Sequence, residues 1–180
     1  MTQRAAVDTT TGVAPPPGPV RRLTVGIGEF AVSNQPDDLI VTHALGSCVA
    51  VCLFDPVAGV AAMLHFLLPE SKINAERARD QPGAFADTGI PLLFQQAYRH
   101  GLDKKRAIVK LAGGAETVDK GTASFQIGRR NVLAAKNLLW RNGVFVRGEH
   151  VGGDIARTVH LATRDGRMQI FSGREELTEL

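Results

Sequence analysis

Val49-Ala50-Val51-Cys52-Leu53-Phe54, then Asp55-Pro56-Val57-Ala58-Gly59, then Val60-Ala61-Ala62-Met63-Leu64-His65-Phe66-Leu67-Leu68-Pro69, is the stretch that decides the fold. Two apolar runs flank an Asp-Pro…Gly turn, the pattern of a β-hairpin. Nearly every position of both runs is apolar, with no alternation. A hairpin of that kind is covered on both faces and lies inside the protein. Centring the turn between Pro56 and Val57 puts Cys48 directly opposite His65. Opposed residues share a face, with Cβ atoms about 4.5–5.5 Å apart. A slip of one residue would send His65 to the other face.

Outward from the hairpin, Leu23–Ile27 and Leu39–Thr42 read as short strands, with Asn34–Asp38 a turn cluster between them. Glu70–Ala84 is polar and broken by Gly and Pro, so it reads as a mobile loop. A helix is expected from an Asp87 N-cap, with Pro91 in its first turn and Gly101 as its stop. Its apolar stripe is Ile90, Leu93, Phe94, Ala97 and Tyr98. A strand at Ala107–Leu111 ends at Gly113-Gly114. A second helix is expected from an Asn131 N-cap to Asn142, burying Val132, Ala135, Leu138 and Leu139. Val144–Val146, Thr158–Thr163 and Met168–Phe171 read as closing strands, the last two joined at Asp165-Gly166. The sum is an α+β layered domain with two main helices.

The 180 residues are 44% hydrophobic and 22% charged, with a net charge of +3, an ordinary globular balance. The basic residues are scattered, and a single Trp and a single Tyr give little to stack bases on, so nucleic-acid binding is not expected. No run reaches the ~18 apolar residues of a membrane span. Residues 1–22, with Thr-Thr-Thr-Gly and Ala-Pro-Pro-Pro-Gly-Pro, read as a disordered tail without an export signal. Residues 23–180 read as one domain, and the cytoplasm is the expected compartment.

The only cysteines are Cys48 and Cys52. On one strand they stand roughly 13 Å apart, against the about 4.4–6.8 Å between Cα atoms that a disulfide needs. Two cysteines are too few for a structural zinc site, and no metal or organic cofactor is expected. Cys52, among Val51, Leu53 and Phe54, reads as a small buried apolar residue. Cys48 follows Gly46-Ser47 where the chain leaves a loop, a position open to a substrate. Paired with His65 it could act as an activated nucleophile. Taken alone, His65 reads equally as a buried histidine bonded to backbone. Thr42 is either an orienting third member or a plain strand threonine. The N–H groups around Gly46, Ser47 and Cys48 could hold an oxyanion. His43, His100, His150 and His160 compete with His65 as partners.

The run Val41–Pro56, followed by Met63–Pro69, resembles the chemoreceptor glutamine deamidase family, CheD. So do Val25–Phe30, Phe85-Ala86-Asp87, Gly113-Gly114-Ala115, Ile127–Asn131, Val151–Asp154 and Arg157-Thr158. The resemblance spans about Leu23 to Phe171. It implies a protein-glutamine deamidase acting on helices of methyl-accepting chemotaxis receptors through a Cys thioester. The family's catalytic Cys, His and Thr fall on Cys48, His65 and Thr42. It also implies an α/β sandwich of mixed and antiparallel sheets like that of cysteine hydrolases, a monomer, and in many organisms binding to a CheC-type phosphatase. A non-catalytic chemotaxis regulator on the same fold is the alternative. His43 and Ala44 stand where the family has an apolar residue and a glycine, and Ser71–Gln81 departs from the usual loop.

Overall fold

The computed structural model describes residues 20–116 and 126–180. Most of the expected tail lies outside the described residues, while Arg21 and Arg22 belong to the first strand. In chain order come strands β1 (Arg21–Thr24), β2 (Phe30–Ser33), β3 (Asp38–Leu45), β4 (Val49–Asp55) and β5 (Val60–Phe66). Helices α1 (Ala75–Asp80) and α2 (Ala86–Arg99), strand β6 (Ile108–Gly113) and helix α3 (Ile127–Arg141) follow. Strands β7 (Val146–Val151), β8 (Arg157–Ala162), β9 (Met168–Ser172) and β10 (Glu175–Glu179) close the chain.

The strands form two five-stranded mixed sheets, ordered β1-β3-β8-β9-β10 and β2-β5-β4-β6-β7. In each, one outer pair is parallel and the rest are antiparallel. The second sheet lies between the first sheet and the helices. Val49, Val51, Leu53, Val60, Ala62, Leu64 and Phe66 pack against Ile90, Leu93, Phe94, Ala135 and Leu139 of α2 and α3. On the other face Ala50, Cys52, Phe54, Ala61 and Met63 meet Ile40, Val159, Leu161 and Ile170 of the first sheet. Every residue of β4 and β5 is therefore buried, which is why the hairpin carries no polar alternation. The first sheet has one wet face, so β8 alternates buried and half-buried residues.

The hairpin turn sits one residue later than expected. Pro56–Gly59 form it, closed by Gly59 N–H donating to Asp55 O at 2.9 Å. The buried Asp55 carboxylate selects this turn, accepting from the N–H groups of Val57 (2.9 Å) and Ala58 (3.2 Å). It also takes Arg106 Nη2 at 2.8 Å. Its pKa is held well below the usual carboxylate range: burial pushes it up, and the bonds from Arg106 and the backbone outweigh that.

Four other expectations are corrected. Glu70–Ala84 is not a bare loop: it holds α1, capped by Asn74 Oδ1 accepting from Arg77 N–H at 2.9 Å, between two 3-10 turns. Asp87 does not cap α2, because its carboxylate is taken by Ser71 N–H and Oγ at 2.8 Å each. Asn131 does not cap α3, which begins four residues earlier at Ile127. Strands β2 and β10 are additional, and β7 runs Val146–Val151 rather than Val144–Val146.

Candidate active site

Side chains alternate along a strand, so Cys48 faces the same way as Ala50 and Cys52, towards the first sheet. His65 is the partner of Ala50 and shares that face. Cys48 is thus diagonal to His65 rather than directly opposite, the consequence of the later turn. Moving a turn centre by one residue shifts every pairing by two, which changes the neighbour and keeps the face. Diagonal neighbours on one face stand about 7–8 Å apart, their Cβ atoms somewhat closer.

Thr42 reaches the same space from β3 of the facing sheet. It is fully buried, its Oγ1 donates to Val25 O at 2.7 Å, and it lies 2.8 Å from His65 Nδ1. A hydroxyl has one hydrogen, and a carbonyl can only accept. With that hydrogen committed to Val25, Oγ1 accepts from His65, so Nδ1 carries the ring proton. Nε2 is then a bare acceptor, and it is buried with no hydrogen-bond partner among the described residues. The imidazole backbone is fixed as well: His65 N–H donates to Glu29 O at 3.1 Å, and Gly28 N–H donates to His65 O at 2.7 Å. The segment Val25–Glu29, which crosses from one sheet to the other, holds both Thr42 and His65.

Burial lowers the pKa of His65 to about 4. Burial raises that of the Cys48 thiol, with smaller lowering effects from its own N–H and from the Arg77 guanidinium of α1. These shifts favour a neutral thiol beside a neutral imidazole over a preformed ion pair, with Nε2 open to accept a proton. Cys52 lies deeper, and burial pushes its thiol up to about 12.

The loop carrying Cys48 has its carbonyls tied inward. Gly46 O accepts from Ala115 N–H at 2.8 Å, Ser47 O from Asn131 Nδ2 at 2.9 Å, and Cys48 O from Gly114 N–H at 2.7 Å. Among the described residues no backbone carbonyl accepts from the N–H group of Ser47 or of Cys48. A β-carbon on Gly113, whose φ is +107°, would stand 2.2 Å from Cys48 O, so only glycine allows this approach. Ala44, ahead of the loop, has a left-handed φ of 55°, the conformation for which a glycine is suited.

The other histidines are engaged elsewhere. His43 is exposed, 3.4 Å from Thr158 Oγ1; His100 Nδ1 lies 3.0 Å from Gln96 O. His150 Nδ1 accepts from Arg157 Nε at 2.7 Å, and His160 packs on Phe171. An apolar cavity of about 230 Å³ between α2 and α3 lies on the far side of the second sheet from Cys48. Among the described residues no group of three or more His, Cys, Asp or Glu is placed to hold a metal ion, and no helix is long and apolar enough to cross a membrane. The residue that sequence reasoning missed is Asn131. Asparagine is favoured at helix caps, and nothing in the neighbouring sequence announces bonds to Ser47 and Leu67.

The family model described as "CheD chemotactic sensory transduction" matches residues 67–172. Among curated proteins, the chain is 45% identical over 158 residues to "Probable chemoreceptor glutamine deamidase CheD 1" of Syntrophus aciditrophicus, covering 88% of this chain and 98% of that one. It is 50% identical to "Probable chemoreceptor glutamine deamidase CheD 2" of Anaeromyxobacter dehalogenans, covering 84% and 94%. It is 40% identical to "Chemoreceptor glutamine deamidase CheD" of Thermotoga maritima, covering 87% and 96%. A stretch covering 88% of this chain necessarily contains residues 42–65, which the family model does not reach.

Proposed function

The chain belongs to the CheD family, and from that premise we propose that it deamidates glutamine side chains of chemoreceptors, with Cys48 as nucleophile, His65 as base and Thr42 orienting the base. The observation that carries this reading is the Thr42–His65 bond. It fixes the tautomer that leaves Nε2 bare on the face shared with Cys48.

His65 Nε2 takes the thiol proton as Cys48 Sγ attacks the glutamine carboxamide carbon. The carbonyl oxygen becomes an anion against the N–H groups of Ser47 and Cys48. His65 then gives its proton to the departing nitrogen, the C–N bond breaks, and ammonia leaves a thioester on Cys48. Water, deprotonated by the same nitrogen, attacks that carbonyl. The C–S bond breaks, glutamate is released, and the thiol recovers its proton. A buried, neutral imidazole suits both halves, because it accepts a proton at one step and returns it at the next. The substrate is a receptor's cytoplasmic helices, the compartment is the cytoplasm, and the enzyme acts as a monomer that can bind a CheC-type phosphatase.

The test is to mix purified protein with receptor cytoplasmic fragments and follow ammonia and peptide masses. The reading expects ammonia together with a gain of about one mass unit at particular glutamines, the amide-to-acid change. Binding to the fragments without ammonia or mass change would favour the non-catalytic regulator.

A further inference from the structure

Asn131 is fully buried on α3, yet its carboxamide serves neither its own helix nor a cap. Nδ2 donates one hydrogen to Ser47 O at 2.9 Å and the other to Leu67 O at 2.8 Å. Both partners are carbonyls, so the amide has only one workable orientation, with nitrogen towards them. Oδ1 is left buried without a hydrogen-bond partner among the described residues. A side chain there for packing alone would carry no such orphan, which weakens folding.

The two carbonyls are not random. Ser47 O belongs to the peptide whose N–H is that of Cys48, and Leu67 is two residues beyond His65. We infer that Asn131 is a positioning residue for acyl transfer: it holds the Ser47 carbonyl inward so that the Cys48 N–H faces the substrate carbonyl, and it fixes the spacing of the nucleophile loop and the His65 strand. In a planar trans peptide C=O and N–H point in opposite directions. Holding one therefore aims the other. Ala115 does the same for the Ser47 N–H through Gly46 O, so Asn131 governs one of two oxyanion donors.

This inference rests on Cys48 being an acyl acceptor, and its test separates the two. Two probes react with the thiol of the full chain. Iodoacetamide alkylates it by displacing iodide from a saturated carbon, so no oxyanion forms. With p-nitrophenyl acetate, Cys48 Sγ bonds to the ester carbonyl while the thiol proton passes to His65. An oxyanion forms and collapses, the C–O bond breaks, and nitrophenolate leaves. In Asn131→Ala and Asn131→Asp, acylation is expected to fall by about 10²–10³, the effect of losing an oxyanion donor, with alkylation within about threefold of wild type. Asn131→Asp should regain acylation as the pH falls, because burial between two carbonyl oxygens favours the protonated carboxyl, which donates to one of them again; Asn131→Ala should not. Should Asn131→Ala fail to fold, the near-isosteric Asn131→Asp carries the same comparison. Acylation that stays at the wild-type rate, or that falls only in step with alkylation, overturns the inference. So does a wild type whose Cys48 is not acylated at all, which would remove the acyl-transfer reading too. A wild type that is acylated but deamidates no receptor would remove only the assigned substrate.

Discussion

Replacing Thr42 by Val keeps the shape of the buried side chain and removes its hydroxyl. Two groups then lose their partner: Val25 O, which accepts from Thr42 Oγ1 at 2.7 Å, and His65 Nδ1, at 2.8 Å from it. An unsatisfied buried group costs about 1–3 kcal/mol. Thr42 favours hydrogen on Nδ1, the tautomer that leaves Nε2 free to act as base; without it each tautomer strands one buried N–H, because Nε2 has no partner either among the described residues. At about 1.4 kcal/mol per factor of ten, a roughly 10- to 100-fold preference for the productive tautomer is lost, and with the ring also unanchored kcat should fall by about 10- to 100-fold. KM should change little, because Thr42 is buried beneath the imidazole and away from substrate. Stability should also fall by about 1–3 kcal/mol from the orphaned Val25 carbonyl. Ammonia release from a receptor fragment gives kcat, and ¹⁵N spectra of the ring give the tautomer. Thr42→Ser, which retains the hydroxyl, should keep both within about threefold. A Thr42→Val protein with wild-type kcat and hydrogen still on Nδ1 would refute the reasoning.

The pH dependence follows from His65. Its pKa lies near 4 in the folded chain against 6.5 for the free side chain, so the acid limb of kcat/KM should fall near pH 4 rather than near 6.5. Between those values the unfolded chain binds a proton that the folded chain refuses. Stability should therefore rise with pH across that window, by on the order of 3 kcal/mol; urea titrations at several pH values measure it, and a flat profile would contradict the burial argument. Ala44→Gly relieves a left-handed residue worth about 1–2 kcal/mol against an unfolded-state entropy cost of about 0.4–1 kcal/mol. A net gain of roughly 0.5 kcal/mol should appear as a higher denaturation midpoint at unchanged slope. Cys52, its thiol pushed up to about 12, should resist iodoacetamide at pH 8 while Cys48 reacts. Cys52→Ala should keep the deamidation rate.

The hairpin was legible because its apolar runs are continuous, and only burial on both faces produces that pattern. Its register was legible in face but not in neighbour. The choice between turn centres lies with Asp55, whose carboxylate bonds to Val57 and Ala58 no apolar pattern reveals. Thr42, His65 and Cys48 were named from the sequence, and the structure brings them to one inter-sheet space. The elements read poorly are those governed by distant partners. Asp87 and Asn131 look like helix caps, yet Ser71 takes the first, and Ser47 and Leu67 take the second. Strand β10, Glu-Glu-Leu-Thr-Glu, lies at a sheet edge and has almost no apolar face to announce it. Glu70–Ala84 reads as loop because its order comes from Asn74 capping a six-residue helix and from Leu67 and Leu68 donating to Ala84 O, not from a buried stripe.

In the proposed reaction the Cys48 sulfur takes the acyl group of a receptor glutamine. The most direct measurement is the rate of glutamate formation in a receptor fragment by Cys48→Ala beside wild type, with both proteins shown to be folded. A loss of at least about 10³-fold is expected, since the other thiol, Cys52, is buried and pushed up to about 12. A Cys48→Ala protein that deamidates within a few-fold of wild type would contradict it.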